Sequence, residues 1–294
     1  MVSFTRYLAA KTTVDDRALN RHVWEALERA LPATGPASPL RVLEIGAGIG
    51  TMIERMAAWG LLTHAVYTAV DADLDNIRAL QKQVQRVSRT VTVEAEAADV
   101  FEFVAREQGR RTWDLIVAHA FLDLVDAPAL LPSLFALLPP GGLFYFTINF
   151  DGATILEPVI DAQFDALVES LYHRTMDERV RGGKPSGDSR SGRHLFHQIR
   201  EAGAEILAAG SSDWVVFAGP DGYPDDEATF LHFIIHTIHK ALSGRPELDQ
   251  GQLDAWISQR HAHIEAGTLV YIAHQIDFLG RLSATRASHS QRED

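Results

Sequence analysis

The chain has 294 residues, of which 46% are hydrophobic, with a formal net charge of −12 and no cysteine. That excludes disulfides, thiolate nucleophiles and Cys-zinc sites, and the acidic balance disfavours nucleic acid, whose binders carry a positive footprint. No apolar run approaches the length of a membrane span, and the start MVSFTRYLAAKTTVDDR lacks the basic opening and unbroken apolar stretch of a signal peptide, so a cytoplasmic protein is expected.

Residues 4–31 read as helical, with apolar residues from Leu8 to Leu31 near helical spacing and a break at the Thr12–Asp16 stretch. Residues 32–39 are a proline-rich loop. Strands and helices then alternate: strand 40–46, helix 51–60, strand 64–71, helix 74–87, strand 91–97, helix 100–109, strand 113–119, helix 127–138 and strand 142–150. One helix between successive strands implies a parallel sheet with right-handed crossovers. Beyond Phe150 the spacing predicts helix 158–180, a flexible polar loop 181–192, helix 193–203, a strand 204–218 with a bulge near Gly210–Ser212, helices 225–242 and 253–267, and a last strand 268–280. Residues 283–294 read as a disordered polar tail.

The first strand ends in a glycine-rich turn, EIGAGIG at 44–50. Glycines there let a ligand approach the backbone. The dinucleotide fingerprint counted from Gly46 requires Gly or Ala at 51, where this chain has Thr51; a Walker A loop requires a Lys-Ser/Thr pair that is missing. Glu44 would repel a pyrophosphate but attract a ligand carrying an ammonium and a sulfonium. Asp71 ends the second strand about twenty residues later, and Asp99 ends the third. Taken singly, Asp71 and Asp99 read equally well as helix N-caps.

Together, E-x-G-x-G-x-G, the acidic strand ends, WDLIVAHAFLDLV at 113–125 and LLPPGGLFYFT at 137–147 resemble, in order and spacing, the motifs of the class I S-adenosylmethionine (SAM)-dependent methyltransferases. The resemblance covers about residues 40–150 well and the last two strands more loosely. It implies a Rossmann-like α/β fold: a seven-stranded, mostly parallel sheet with helices on both faces and its last strand antiparallel. It implies a single domain over 1–282, with N-terminal helices 1–39, a SAM-binding core 40–150 and helical cap insertions 151–192 and 219–266. It implies SAM contacts from Glu44, Gly46, Ala47, Gly48 and Gly50 in the turn. Asp71 with Ala72 would meet the ribose, and Asp99 with Val100 the adenine. His119 would lie near the cofactor, and the N-terminal helix would cover the methionine end, where Tyr7 and Arg21 are candidate contacts in a segment that also carries Lys11 and Arg17.

SAM brings its own electrophile, so the protein mainly positions the acceptor and excludes water, and a base is needed only where the acceptor must lose a proton. His119 and Asp123 are the candidate bases; Asn149 and Asp151 also sit at a strand end. Asn149 and Asp151 flank Phe150 rather than forming an adjacent Asp-Asn pair, so no metal is expected. His232, His236 and His239 share one face of a nearly apolar helix, which reads as half a zinc site or as the polar face of a cap. Asn149, Trp214, Tyr223, His232 and His236 are candidate substrate contacts, the aromatic ones reading also as core. The expected activity is methyl transfer from SAM to O or N of a small molecule, by a monomer or homodimer that touches neither membrane nor nucleic acid. An NAD(P)-dependent oxidoreductase and a catalytically silent SAM-binding partner module remain alternatives.

Overall fold

The computed structural model describes residues 3–87, 89–181 and 183–283. The polar tail expected from 283 onward otherwise lies outside the described residues. Three short helices open the chain: α1 (Phe4–Ala10), α2 (Thr12–Ala18) and α3 (Arg21–Ala30). The alternating core follows as β1 (Leu40–Ile45), α4 (Thr51–Ala58), β2 (Ala65–Asp71), α5 (Leu74–Gln83), β3 (Val91–Ala97), α6 (Val100–Glu107), β4 (Leu115–His119), α7 (Ala127–Phe135) and β5 (Leu143–Glu157). The remainder is α8 (Ala162–Asp177), a minimal hairpin β6 (Val180–Arg181) and β7 (Lys184–Pro185), α9 (Ser191–Glu201), β8 (Ala204–Ser211), β9 (Trp214–Val216), α10 (Glu227–Leu242), α11 (Gln250–Glu265) and β10 (Val270–Leu282).

The main sheet runs β3-β2-β1-β4-β5-β10-β8, with β9 continuing the edge beside β10. Pairing is parallel from β3 through β5, while β10 is antiparallel to β5, β8 and β9. This is the expected Rossmann-like arrangement. Strand order reverses between β1 and β4, and in open α/β sheets ligands gather at the carboxyl ends of the strands around that point. Buried strands alternate their side chains between two cores. Val42, Tyr67, Val117 and Tyr145 face the N-terminal helices, α4, α5 and the helices α8, α10 and α11. Leu43, Ile45, Ile116 and Phe146 face α6, α7 and α9.

Three local expectations change. Residues 151–157 are strand rather than cap: β5 runs on to Glu157 because β10 pairs with it as far as Val270. The single strand predicted over 204–218 is two, broken where Ser212 donates to the Gln275 carbonyl and Asp213 accepts from His274 and the Gln275 amide. The predicted loop 181–192 contains three of the four strand residues of the β6–β7 hairpin and the first two residues of α9. The helix 225–242 is present as α10, and its apolar residues are covered by its own chain, chiefly α1, α8 and α11.

Candidate functional site

The site is assembled at the carboxyl ends of β1, β2, β3 and β4. After Ile45 the chain turns sharply at Gly46 (φ +66°), and a Cβ there would stand 2.2 Å from the Phe121 ring, so no larger residue fits. Asp71 braces this turn. One of its oxygens accepts from the Gly48 amide at 2.8 Å, the other from the Asp73 amide at 2.8 Å and from Asn76. Asp99 caps α6 through a single oxygen, accepting from the Phe101 amide at 2.9 Å. Each carboxylate therefore retains acceptor capacity. Gly46, Asp71, Ala72, Asp99, Val100 and Phe121 line one cavity of about 340 Å³, together with Arg181, Lys184 and Ser186 from the hairpin segment. Ala47 and Gly50 shape the turn without lining it: the Ala47 amide bonds the Val70 carbonyl, and the Gly50 amide bonds Ala47.

A second cavity, about 250 Å³, lies beyond the segment 120–126, which contributes to the walls of both. Tyr7, Phe150, Tyr172, Trp214, Phe233 and Tyr271 give it aromatic walls, and Lys11, Asp123 and Arg179 give it charge. Two of its lining residues, Ala120 (φ +50°) and Ile148 (φ +57°), hold left-handed backbone that non-glycine residues avoid, most of all a β-branched one. Such strain persists only where the surroundings over-determine it. At Ile148 the surroundings include Asp277, which accepts the Ile148 amide at 2.7 Å and the Asn20 amide at 2.8 Å.

Asp15 organises the wall between the N-terminal helices and β4. It is fully buried and accepts from the Lys11 ammonium at 3.0 Å, the Trp214 indole at 2.9 Å and the His119 ring at 3.0 Å. Burial alone would raise its pKa, but Lys11 and His119 beside it hold the carboxyl well below the usual carboxylate range. An ionised Asp15 only accepts, so His119 must donate from Nε2 and accept at Nδ1 from the Thr147 hydroxyl at 2.8 Å. Burial pushes the His119 pKa down to about 4, against the pull of Asp15.

This placement corrects several expected roles. His119 has both ring nitrogens committed and lines neither cavity, so it ties β4 to α2 instead of meeting an acceptor. Glu44 points across the sheet face, accepts from the Tyr67 hydroxyl at 2.9 Å and is buried away from both cavities; burial pushes its pKa up to about 8. It therefore meets Tyr67 rather than the cavity its sequence position suggested. Arg21 lies on the solvent face of α3 and pairs with Glu25, and Arg17 pairs with Glu227; of the N-terminal cations considered, Lys11 is the one that reaches a cavity. His232 and His236 lie outside the aromatic cavity, which α10 lines with Phe233, Ile234 and Thr237; His232 meets His261 and Glu265 on α11. Among the described residues no group of three or more His, Asp or Glu is arranged to hold a metal. Tyr223 donates to the Leu269 carbonyl and Asn149 to the Ile276 carbonyl, both away from the cavities, whereas Trp214 and Tyr7 do line the aromatic one. Sequence reasoning missed Asp15, Phe121 and Arg179. No periodicity or motif marks them, because each acts through residues far away in the chain.

A family model described as "Methyltransferase domain" matches residues 16–209, more than half of the chain. The chain belongs to that methyltransferase family. It is a SAM-dependent enzyme of the class I fold, and the dinucleotide alternative falls. The cavity fits SAM on its own terms, lined by Gly46 and by the carboxylates of Asp71 and Asp99, each with acceptor capacity left. Similar solved structures include a putative sarcosine dimethylglycine methyltransferase from Galdieria sulphuraria (15% identity, TM-score 0.47, covering 92% of this chain and 86% of that one). A SAM-dependent methyltransferase from Methanosarcina mazei has 11% identity and TM-score 0.48, covering 88% and 97% of the two chains. A cyclopropane synthase from Mycobacterium tuberculosis has 10% identity and TM-score 0.47, covering 96% and 99%. None of the curated proteins matches the chain.

Proposed function

We propose that this methyltransferase acts on a small molecule, at an oxygen or nitrogen, in the aromatic cavity beside β4. The observation that carries the reading is the pair of cavities on either side of segment 120–126, one lined by Asp71 and Asp99, the other aromatic with Asp123 in its wall. In this reading Asp71 accepts the ribose hydroxyls, Asp99 accepts from the adenine amino group, and Lys11 with Tyr7 meets the methionine end. When bound, SAM supplies the methyl group, whose transfer to the acceptor breaks the carbon–sulfur bond and leaves the electron pair on sulfur. The chain's task is to orient the acceptor, exclude water and take its proton.

Asp123 is the residue placed to take that proton. Its Oδ1 is buried with no hydrogen-bond partner among the described residues, and burial pushes its pKa up to about 6, against Arg179 and Lys11. A carboxyl near that value is ionised at neutral pH and is a better base than an ordinary aspartate.

Calorimetry against S-adenosylhomocysteine (SAH) and NADH tests the cofactor assignments. SAH is expected to bind and NADH not, and Asp71→Ala is expected to weaken SAH by about tenfold or more, the worth of a hydrogen bond or two to a charged group. Unchanged SAH affinity in that variant would remove Asp71 from the ribose. Label transfer from methyl-labelled SAM over a panel of small hydroxyl and amino acceptors tests the transfer itself; tight SAH binding with no turnover on any acceptor would favour a silent binding module.

A further inference from the structure

Arg179 gives the aromatic cavity a charge that methyl transfer does not itself require. The residue follows α8, lines the cavity and is only partly exposed. Among the described residues no carboxylate pairs with its guanidinium and no side-chain hydrogen bond satisfies it. Of the neighbouring charges, Lys11 is engaged by Asp15 and Glu178 by Arg174 and Arg245, while Asp123 feels the Arg179 charge without forming an ion pair with it. The guanidinium is also given room. Gly187 stands in the left-handed half of backbone space (φ +140°), and a Cβ there would lie 3.2 Å from Arg179 Nη1 and 2.9 Å from the Met176 carbonyl.

Two buried polar atoms without partners among the described residues, Asp123 Oδ1 and the Gln275 side-chain oxygen, belong to residues that line this cavity together with the partly exposed Arg179. Buried polar groups left without partners in a folded chain call for a ligand that supplies them. Arg179, partly exposed and without an ion pair among the described residues, suits a planar anion, which its fork of donors matches two bonds at a time. Tyr7 and Phe233, stacked on each other with 4.1 Å between centroids, both line the cavity. At about 250 Å³ the cavity is smaller than those of drug-sized ligands, roughly 300–1,000 Å³, which limits the acceptor to about one ring. Bound SAM carries a net positive charge, so a singly anionic acceptor would also balance the enclosed site.

We propose that the acceptor is a small planar carboxylic acid, a single ring or conjugated unit bearing the hydroxyl or amino nucleophile, held with its carboxylate on Arg179 and its nucleophile toward Asp123. The proposal rests on reading the aromatic cavity as the acceptor site.

The test is calorimetric titration of the full chain, with and without saturating SAH, using benzoate, 4-hydroxybenzoate and 2-aminobenzoate against their carboxamides. The acids are expected to bind about tenfold to a hundredfold more tightly, the ratio that a charge-assisted pair supplies. Arg179→Gln should abolish that ratio while leaving carboxamide and SAH affinity unchanged. Arg179→Lys should keep part of it, because charge survives without the fork. Carboxamides that match the acids, an acid preference that survives Arg179→Gln, or no binding by either series overturns the assignment. Failure of SAH to bind counts against the cofactor sites instead, and the titrations without SAH keep the two failures apart.

Discussion

Asp123 and Glu44 are both buried carboxyls with raised pKa values, and they lead to opposite experiments. Asp123 meets a cavity, so its ionisation belongs to turnover. A base must be deprotonated to act, so kcat should fall as pH drops through about 6. Asp123→Asn should lower kcat by roughly a hundredfold to ten-thousandfold, remove that limb of the pH profile and leave SAH affinity unchanged. An unaltered profile would take the proton elsewhere. Glu44 meets no cavity, so its ionisation belongs to stability. The folded chain holds the Glu44 proton up to about pH 8, whereas the unfolded chain releases it near 4.5, so stability contributed at low pH is lost as pH rises across that interval. Glu44→Gln keeps an acceptor for Tyr67 and cannot ionise. Its melting temperature should exceed that of the parent at about pH 8 and match it at about pH 5; an equal gain at both would sink the argument. The placement of Asp71 and Asp99 at strand ends was legible because it follows from the alternating pattern. Glu44 was assigned to the cofactor from its place two residues before Gly46, and strand periodicity alone did not show which neighbour its side chain would meet. His119 was legible as a strand-end histidine, but the carboxylate that occupies it comes from Asp15, 104 residues earlier.

At the scale of elements, the cavity is roofed by pieces from both ends of the chain. Helices α1 and α2 are fastened to the start of α10 by Arg6 with Asp226, and by Thr13 and Arg17 with the fully buried Glu227, Arg17 Nη2 donating at 2.9 Å. Glu227→Ala removes the carboxylate that all the Thr13 and Arg17 bonds share. It should cost about 2 kcal/mol in urea unfolding, the worth of charge-assisted hydrogen bonds, and weaken SAH by loosening Lys11 and Tyr7. Loss of stability with SAH affinity intact would separate the roof from the cofactor. The helices were legible from their period, but not which face of α10 turned inward, since the element is apolar nearly all round. The run of β5 past Phe150 was illegible for a different reason. Asp151–Gly152 interrupts the ladder as a bulge, with Gly152 at φ +68°, and β5 resumes beyond it because β10 pairs again from Thr154 to Glu157.

Across the whole molecule, ligand and fold are coupled through the carboxyl ends of four strands. A ligand that binds only the folded chain stabilises it by mass action, about 2.7 kcal/mol at a hundredfold excess over Kd. Thermal unfolding should therefore shift upward with SAH concentration and stay fixed with NADH; a shift with both would point to binding outside the turn. The main sheet runs unbroken from β3 to β8. Among the described residues no helix is long and apolar enough to cross a membrane.

The placement of β10 has a consequence for how the protein is made. Its thirteen residues lie between β5 on one side and β8 and β9 on the other, and they come after all of these in the chain. A ribosome that has released everything before Val270 has therefore produced a nascent chain with two raw sheet borders and an exposed seam of Tyr145, Phe146 and Phe150. Such borders invite pairing with the wrong partner. Insertion of β10 as a keystone closes both borders at once, and until then they stand open to a wrong partner.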